Sequence, residues 1–146
     1  MQSIEPHSNQ FTASTLERVL SAAGVLLGSA GVFVVAYFNP AEGGFFPVCL
    51  LYATTGLHCP GCGLTRGFHA LFRGDVLGAL HYNALLPVYV AAAAYFGLAL
   101  LLVAVHGRGL SFKFFKPWMV YAFLAALVVF AVLRNLPYYP FTLLAP

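Results

Sequence analysis

The chain has 146 residues, of which 61% are hydrophobic and only 8% charged, with a formal net charge of +3 and a mean hydropathy of +0.86. That balance excludes an ordinary water-soluble globule and makes a lipid bilayer the expected surrounding. The few Lys and Arg residues are scattered, which excludes the clustered basic surface of a nucleic-acid binder.

Residues 1–15 are polar and rich in Ser, Thr and Gln, without the basic and small-residue segments of a removable signal peptide. They read as a mobile tail ahead of a single membrane domain over 16–146. Val19 to Ala41 carries no charge and is long enough for a hydrocarbon core that needs about 20 residues, which predicts a first membrane-spanning helix over 18–38. Within it Ser21, Gly24, Gly28 and Gly31 recur at helical spacing and draw a smooth face for close approach of another helix.

Asn39-Pro40-Ala41-Glu42-Gly43-Gly44 ends that helix by local turn chemistry. Phe45 to Leu57 is apolar but too short to cross, so it is expected to lie in the interface or to dip in as a re-entrant segment. This opens a cysteine-containing segment over 45–75. At its centre stands Thr55-Gly56-Leu57-His58-Cys59-Pro60-Gly61-Cys62-Gly63-Leu64-Thr65-Arg66. Pro60 fixes one φ, while Gly61 and Gly63 supply the positive φ angles of a tight turn that points both sulfurs to one side.

Thr65 is placed to cap a short helix ending near Arg73. Leu64, Phe68, Leu71 and Phe72 fall on one face, with Arg66, His69 and Arg73 on the other, so this helix is amphipathic. Gly74 then suits a helix stop and Asp75 a helix start. Beyond His81 and Asn83 an apolar run with Pro87 in its first turn predicts a second span over 84–105. A basic loop with Arg108, Lys113 and Lys116 leads to a third span over 117–133, anchored at its start by Trp118 and Tyr121. The expected fold is therefore all-α, with three transmembrane helices. The short basic loop and Arg18 argue for a cytoplasmic N-terminus and an outward-facing cysteine turn and C-terminus, in a compartment where disulfides persist.

Three chemistries fit Cys49, Cys59 and Cys62. As a metal knuckle, Cys59 and Cys62 hold a tetrahedral ion such as Zn²⁺, with Cys49 and a histidine, His69 foremost, completing the set. As a redox pair, the same two cysteines draw a lowered thiolate pKa from the following helix and Arg66, with Cys49 as resolving thiol. As a structural element, the turn orients the amphipathic helix. No paired carboxylates, phosphate-cradling glycine loop or Ser/His/Asp set is present, so an enzyme is not the expected reading. His81, Asn83, Arg134 and Asn135 gather near the same end of the bundle as the cysteines.

The order Thr-Gly-x-x-Cys-Pro-x-Cys-Gly-x-Thr-Arg, followed by an apolar short helix, Arg73-Gly74-Asp75 and Asn83 ahead of a span, resembles a widespread family of short bacterial integral membrane proteins of unknown function. The resemblance runs from about Cys49 to Pro87. It implies a bacterial inner-membrane protein in which the cysteine turn, Thr65, Arg66, Gly74, Asp75 and Asn83 form one unit. The function expected is an accessory or structural subunit of a larger membrane assembly, with other membrane subunits as partners and no nucleic acid. Thiol redox and zinc binding stand as the alternatives.

Overall fold

A computed structural model describes residues 13–42, 44, 46–110 and 116–145. Most of the polar tail, Gly43, Phe45 and the stretch with Lys113 lie outside the described residues. Among the described residues the chain is all-helical: α1 (Thr15–Tyr37), α2 (Leu50–Thr55), α3 (Leu64–Phe72), α4 (Val76–Tyr82), α5 (Leu86–His106) and α6 (Pro117–Leu133), with a 3-10 turn at Phe141–Leu144.

α1 begins earlier than 18 because Ser14 and Glu17 close a capping box. The Ser14 hydroxyl accepts from the Glu17 amide at 3.3 Å, and the Glu17 carboxylate accepts from the Ser14 amide at 2.7 Å. Two orphan amides of the first turn are thereby satisfied. α1 runs antiparallel to α5. Arg18 reaches the carbonyls of Ala104 and Val105, and farther along a Cβ at Gly24 would touch Leu100. Ser21 and Ala99 are buried on this seam. The small-residue face therefore divides: Ser21 and Gly24 serve the contact with α5, whereas among the described residues nothing lies within 4 Å of a Cβ at Gly28 or Gly31.

α1 and α5 are long and apolar enough to cross a membrane, and Leu26 and Leu27 remain 71% and 74% exposed. Burial inside the protein therefore does not account for their apolar character, and the pair is compatible with a membrane protein. α6 is equally apolar but has 17 residues. At 1.5 Å per residue it spans about 26 Å, short of a hydrocarbon core of about 30 Å.

The core sits at one end of the α1–α5 pair. Ala70 of α3, Ala79 of α4 and Leu86 of α5 are buried together, with Leu64, Phe68, Leu71, Tyr82 and Val90 packed around them. The apolar face of the amphipathic helix thus lies in a protein groove. A Cβ on Gly67 would meet the Ala79 carbonyl at 3.1 Å, so glycine is what allows α3 and α4 to approach. Gly74, at φ 84°, stops α3, and the Asp75 carboxylate accepts from the Gly78 amide at 2.8 Å to start α4, both as expected.

Four local expectations are corrected or refined. Thr65 is not the cap of α3: the N-cap is Gly63, at φ 79°, with no side-chain bond, so the helix is already under way at Leu64. Gly61 is not at positive φ; Gly56 and Gly63 are, which puts the left-handed residues at the two ends of the turn. The segment before the turn contains a short helix, α2, entered at Cys49 and ended by Gly56. The second long helix starts at Leu86 instead of residue 84, because Asn83 is extended and its side chain accepts from the Leu85 amide at 2.9 Å.

Candidate functional site

The cysteine turn is a backbone-closed loop. The Cys62 amide donates to the Cys59 carbonyl and the Leu64 amide to the Gly61 carbonyl, each at 3.0 Å. The Cys59 amide donates to the Cys62 sulfur at 3.2 Å, an arrangement that draws both side chains to one side. Entry into α2 brings Cys49, ten residues upstream, to the same place: its sulfur lies 3.4 Å from that of Cys59, which lies 3.3 Å from that of Cys62. All three sulfurs fall within 4.8 Å of one another, and all three cysteines are free.

These separations far exceed the S–S bond of about 2.05 Å in a disulfide. They approach the edge of about 3.8 Å that a tetrahedron with metal–sulfur bonds of about 2.3 Å requires. The donor set is soft, and among the described residues no histidine or carboxylate joins it. A groove of about 870 Å³, lined by the three cysteines together with Glu42, Tyr52, Thr65 and Arg66, opens over the sulfurs.

The turn's outward carbonyls are gripped from below. Asn83, fully buried, donates to the carbonyls of Pro60 at 2.8 Å and Cys62 at 3.2 Å. Arg134, at the end of α6, donates through Nη1 to the carbonyls of Cys59 at 2.9 Å and Cys62 at 3.2 Å. Asn135 pairs with the backbone of His58 in both directions, accepting from its amide at 2.8 Å and donating to its carbonyl at 2.9 Å. The polar residues gathered at this end therefore bond to the turn's backbone. His81 is exposed at the end of α4.

The three thiols are unequal. Cys49 is lowered to about 7, first by the backbone amide of Tyr52 at the start of α2 and then by the Cys62 and Cys59 sulfurs. Cys62 is pushed up to about 12, chiefly by burial and then by Cys59 and Cys49. Burial, followed by the charge of Arg134, also holds His58 below the usual histidine range, and its ring lies 4.7 Å from that of Tyr52.

Of the other residues singled out in the sequence, Thr65 and Arg66 line the groove beside the sulfurs. His69 does not approach them: its Nδ1 bonds the Val35 carbonyl at 2.7 Å and ties α3 to α1. Glu42 accepts from the Asn39 amide group at 2.6 Å, and Asp75 is engaged by Gly78. Arg134 and Asn135 have a more specific part than the sequence suggested, since they reach the turn across 75 and 77 residues of chain. A charge and an amide directly after an uncharged helix were the available signal.

No curated protein and no solved structure matches the chain. Residues 49–105, which run from the first cysteine of the thiol centre to near the end of α5 and leave α1, α6, Arg134 and Asn135 outside, match the model of a family described as protein of unknown function (DUF2752).

Proposed function

We propose that this chain is a multi-pass membrane protein that holds one soft transition-metal ion, zinc in the first instance, on Cys49, Cys59 and Cys62. In this reading the ion staples α2 to the cysteine turn and so orients α3 along the membrane surface, in a non-enzymatic accessory subunit of a membrane assembly. α6 makes the third crossing despite its length, with the bilayer thinning locally or its flanking Lys116 adjusting to the boundary. The N-terminus is cytoplasmic and the thiol centre faces outward from a bacterial inner membrane. Gly28 and Gly31, which α5 leaves uncovered, give α1 a face on which a neighbouring subunit's helix can settle.

The single observation that carries the metal reading is the arrival of Cys49 beside the Cys59–Cys62 pair. A turn with two cysteines at this spacing can serve structure alone, whereas a third sulfur at 3.4 Å supplies three corners of a tetrahedron. Elemental analysis of the detergent-purified protein tests it: about one equivalent of zinc or a related ion per chain is expected, lost on joint replacement of Cys59 and Cys62 by Ser. Three free thiols in metal-replete protein, with no bound ion, would overturn it.

A second reading, thiol–disulfide exchange, is favoured by the lowered pKa of Cys49 next to Cys59. Labelling with and without reductant separates the two, because only exchange predicts a reducible Cys49–Cys59 or Cys59–Cys62 bond in metal-free protein.

A further inference from the structure

Directly beneath the sulfurs lies a charge with no described carboxylate to balance it. Arg134 is 2% exposed, and its guanidinium carbon stands 5.0 Å from the centre of the Phe130 ring. Nη1 serves the two cysteine carbonyls, while Nε and Nη2 are buried without a hydrogen-bond partner among the described residues. Every described carboxylate is engaged elsewhere: Glu17 with Ser14, Glu42 with Asn39, and Asp75 with Gly78. The acidic groups that face Arg134 are the thiols of Cys62, Cys59 and Cys49 and the hydroxyl of Tyr89.

A buried cation with no counter-charge is strongly unfavourable, and arginine does not shed its proton to escape. Carbonyl oxygens and an aromatic ring satisfy part of its hydrogen bonding and none of its charge balance. While all three thiols are protonated the guanidinium stays uncompensated, and a Cys49 thiolate, which forms as pH rises through 7, is the sulfur that acts on it least. With a divalent ion and three thiolates the centre carries one net negative charge, and the pair is neutral.

We propose that Arg134 is the resident counter-cation of an anionic metal–thiolate centre, a positioning residue that favours binding of a divalent ion by all three sulfurs as thiolates. The inference rests on the metal reading above. On binding, each sulfur still protonated loses its S–H bond, three sulfur–metal bonds form, and the released protons, up to three, pass to solvent. A neutral fourth donor, water from the groove, preserves the balance, whereas a fourth anionic donor would leave one charge over. Arg134 touches backbone and not the ion, so its effect is electrostatic and acts through the sulfurs.

The test uses the full chain in detergent, stripped of metal and titrated with cobalt(II) and then with zinc(II) in competition. Wild-type protein should bind one cobalt(II) and show sulfur-to-cobalt charge-transfer absorption. Arg134→Gln retains a donor for the cysteine carbonyls and removes the charge. It should weaken zinc(II) binding by about 10–100-fold, the range of outer-shell losses, and move the charge-transfer band to lower energy, because the sulfurs lose a nearby cation. Arg134→Lys retains the charge and should stay within a few-fold of wild type with the band unmoved. If Arg134→Gln binds as tightly as wild type with an unshifted band, or if the Lys variant fails as badly as the Gln variant, the counter-cation role is wrong. If wild-type protein takes up no cobalt(II), the metal reading itself has failed, an outcome distinct from either.

Discussion

Arg18 and Arg134 occupy opposite ends of the helical bundle, and each donates to backbone carbonyls. Arg18 is exposed and bonds Ala104 and Val105 at the last turn of α5, where orphan carbonyls and the negative end of the helix dipole favour a cation. Gly107, at φ 66°, closes the same helix end beneath the arginine side chain. Everything about Arg18 is accounted for by the helix it finishes. Arg134 is buried, serves the carbonyls of a turn instead of a helix end, and has two nitrogens left over. An arginine that merely completes a backbone has no reason to be this buried or this poorly satisfied, and the difference singles out the cysteine end, where three sulfurs that could hold a metal ion lie together.

The comparison is sharpened most strongly by the thiols above Arg134. In metal-free protein Cys49, lowered to about 7, becomes a thiolate as pH rises through 7, whereas Cys62, pushed up to about 12, stays protonated well beyond that. Since the thiolate is the nucleophile, alkylation at pH 8 should favour Cys49 over Cys62 by on the order of 10³-fold or more, with the greater exposure of Cys49 acting in the same direction. Mass spectrometry of alkylated peptides between pH 6 and 9 measures this. The Cys49 rate should climb about tenfold per unit below pH 7 and then level. Equal rates at the two cysteines would remove the asymmetry assigned to the centre.

Next in size is Asn83. It is fully buried and holds the turn with two donated bonds while accepting one from Leu85. Asn83→Ala strands the Pro60 carbonyl and the Leu85 amide, and weakens the hold on the Cys62 carbonyl that Arg134 shares. The expected loss is about 2–3 kcal/mol, the usual cost of buried polar groups left unmade, read as a lower midpoint of thermal unfolding in detergent. A loss under about 0.5 kcal/mol would show that the turn is held otherwise, and would weaken the contrast between a reinforced cysteine end and a plain one.

How much of this was legible depends on how far each partner lies along the chain. The apolar runs of α1 and α5 and the stop and start at Gly74 and Asp75 are local, and were readable. Ser14-Thr15-Leu16-Glu17 is a local signal too, a capping-box pattern whose first residues blend into the polar stretch before them. α2 carries no capping side chain, so its start leaves no mark. Thr65 has the hydroxyl of a usual cap, but a left-handed Gly63 starts the helix two residues earlier. Cys49 was named for its chemistry, and no spacing rule placed it beside Cys59. His69 was the reasonable fourth ligand by type, yet a carbonyl of α1, 34 residues away, takes its ring nitrogen. The hold of Arg134 on the turn depends on where α6 ends in space, which no window along the sequence contains.

The smallest effect is expected at Arg18, and it bears directly on the contrast. Arg18→Gln retains one hydrogen-bond donor near the Ala104 and Val105 carbonyls but removes a charge from the end of α5. Because the group is exposed, water replaces most of what is lost, and the charge–dipole part is worth about 0.3–1 kcal/mol at low salt. It should shrink toward zero as the ionic strength rises past 0.15 M, where the screening length is about 8 Å. Zinc affinity should not change, since the site lies at the other end of the helix pair. Thermal unfolding of wild type and Arg18→Gln at two salt concentrations, with a zinc competition on each, gives all three quantities. An Arg18 effect as large as that of Asn83→Ala, or one that reached the metal, would mean that the two ends are coupled and that the unpaired nitrogens of Arg134 are the outcome of global packing instead of a local ligand site. A small, salt-sensitive and metal-silent effect leaves Arg134 as the arginine whose placement the fold alone does not explain.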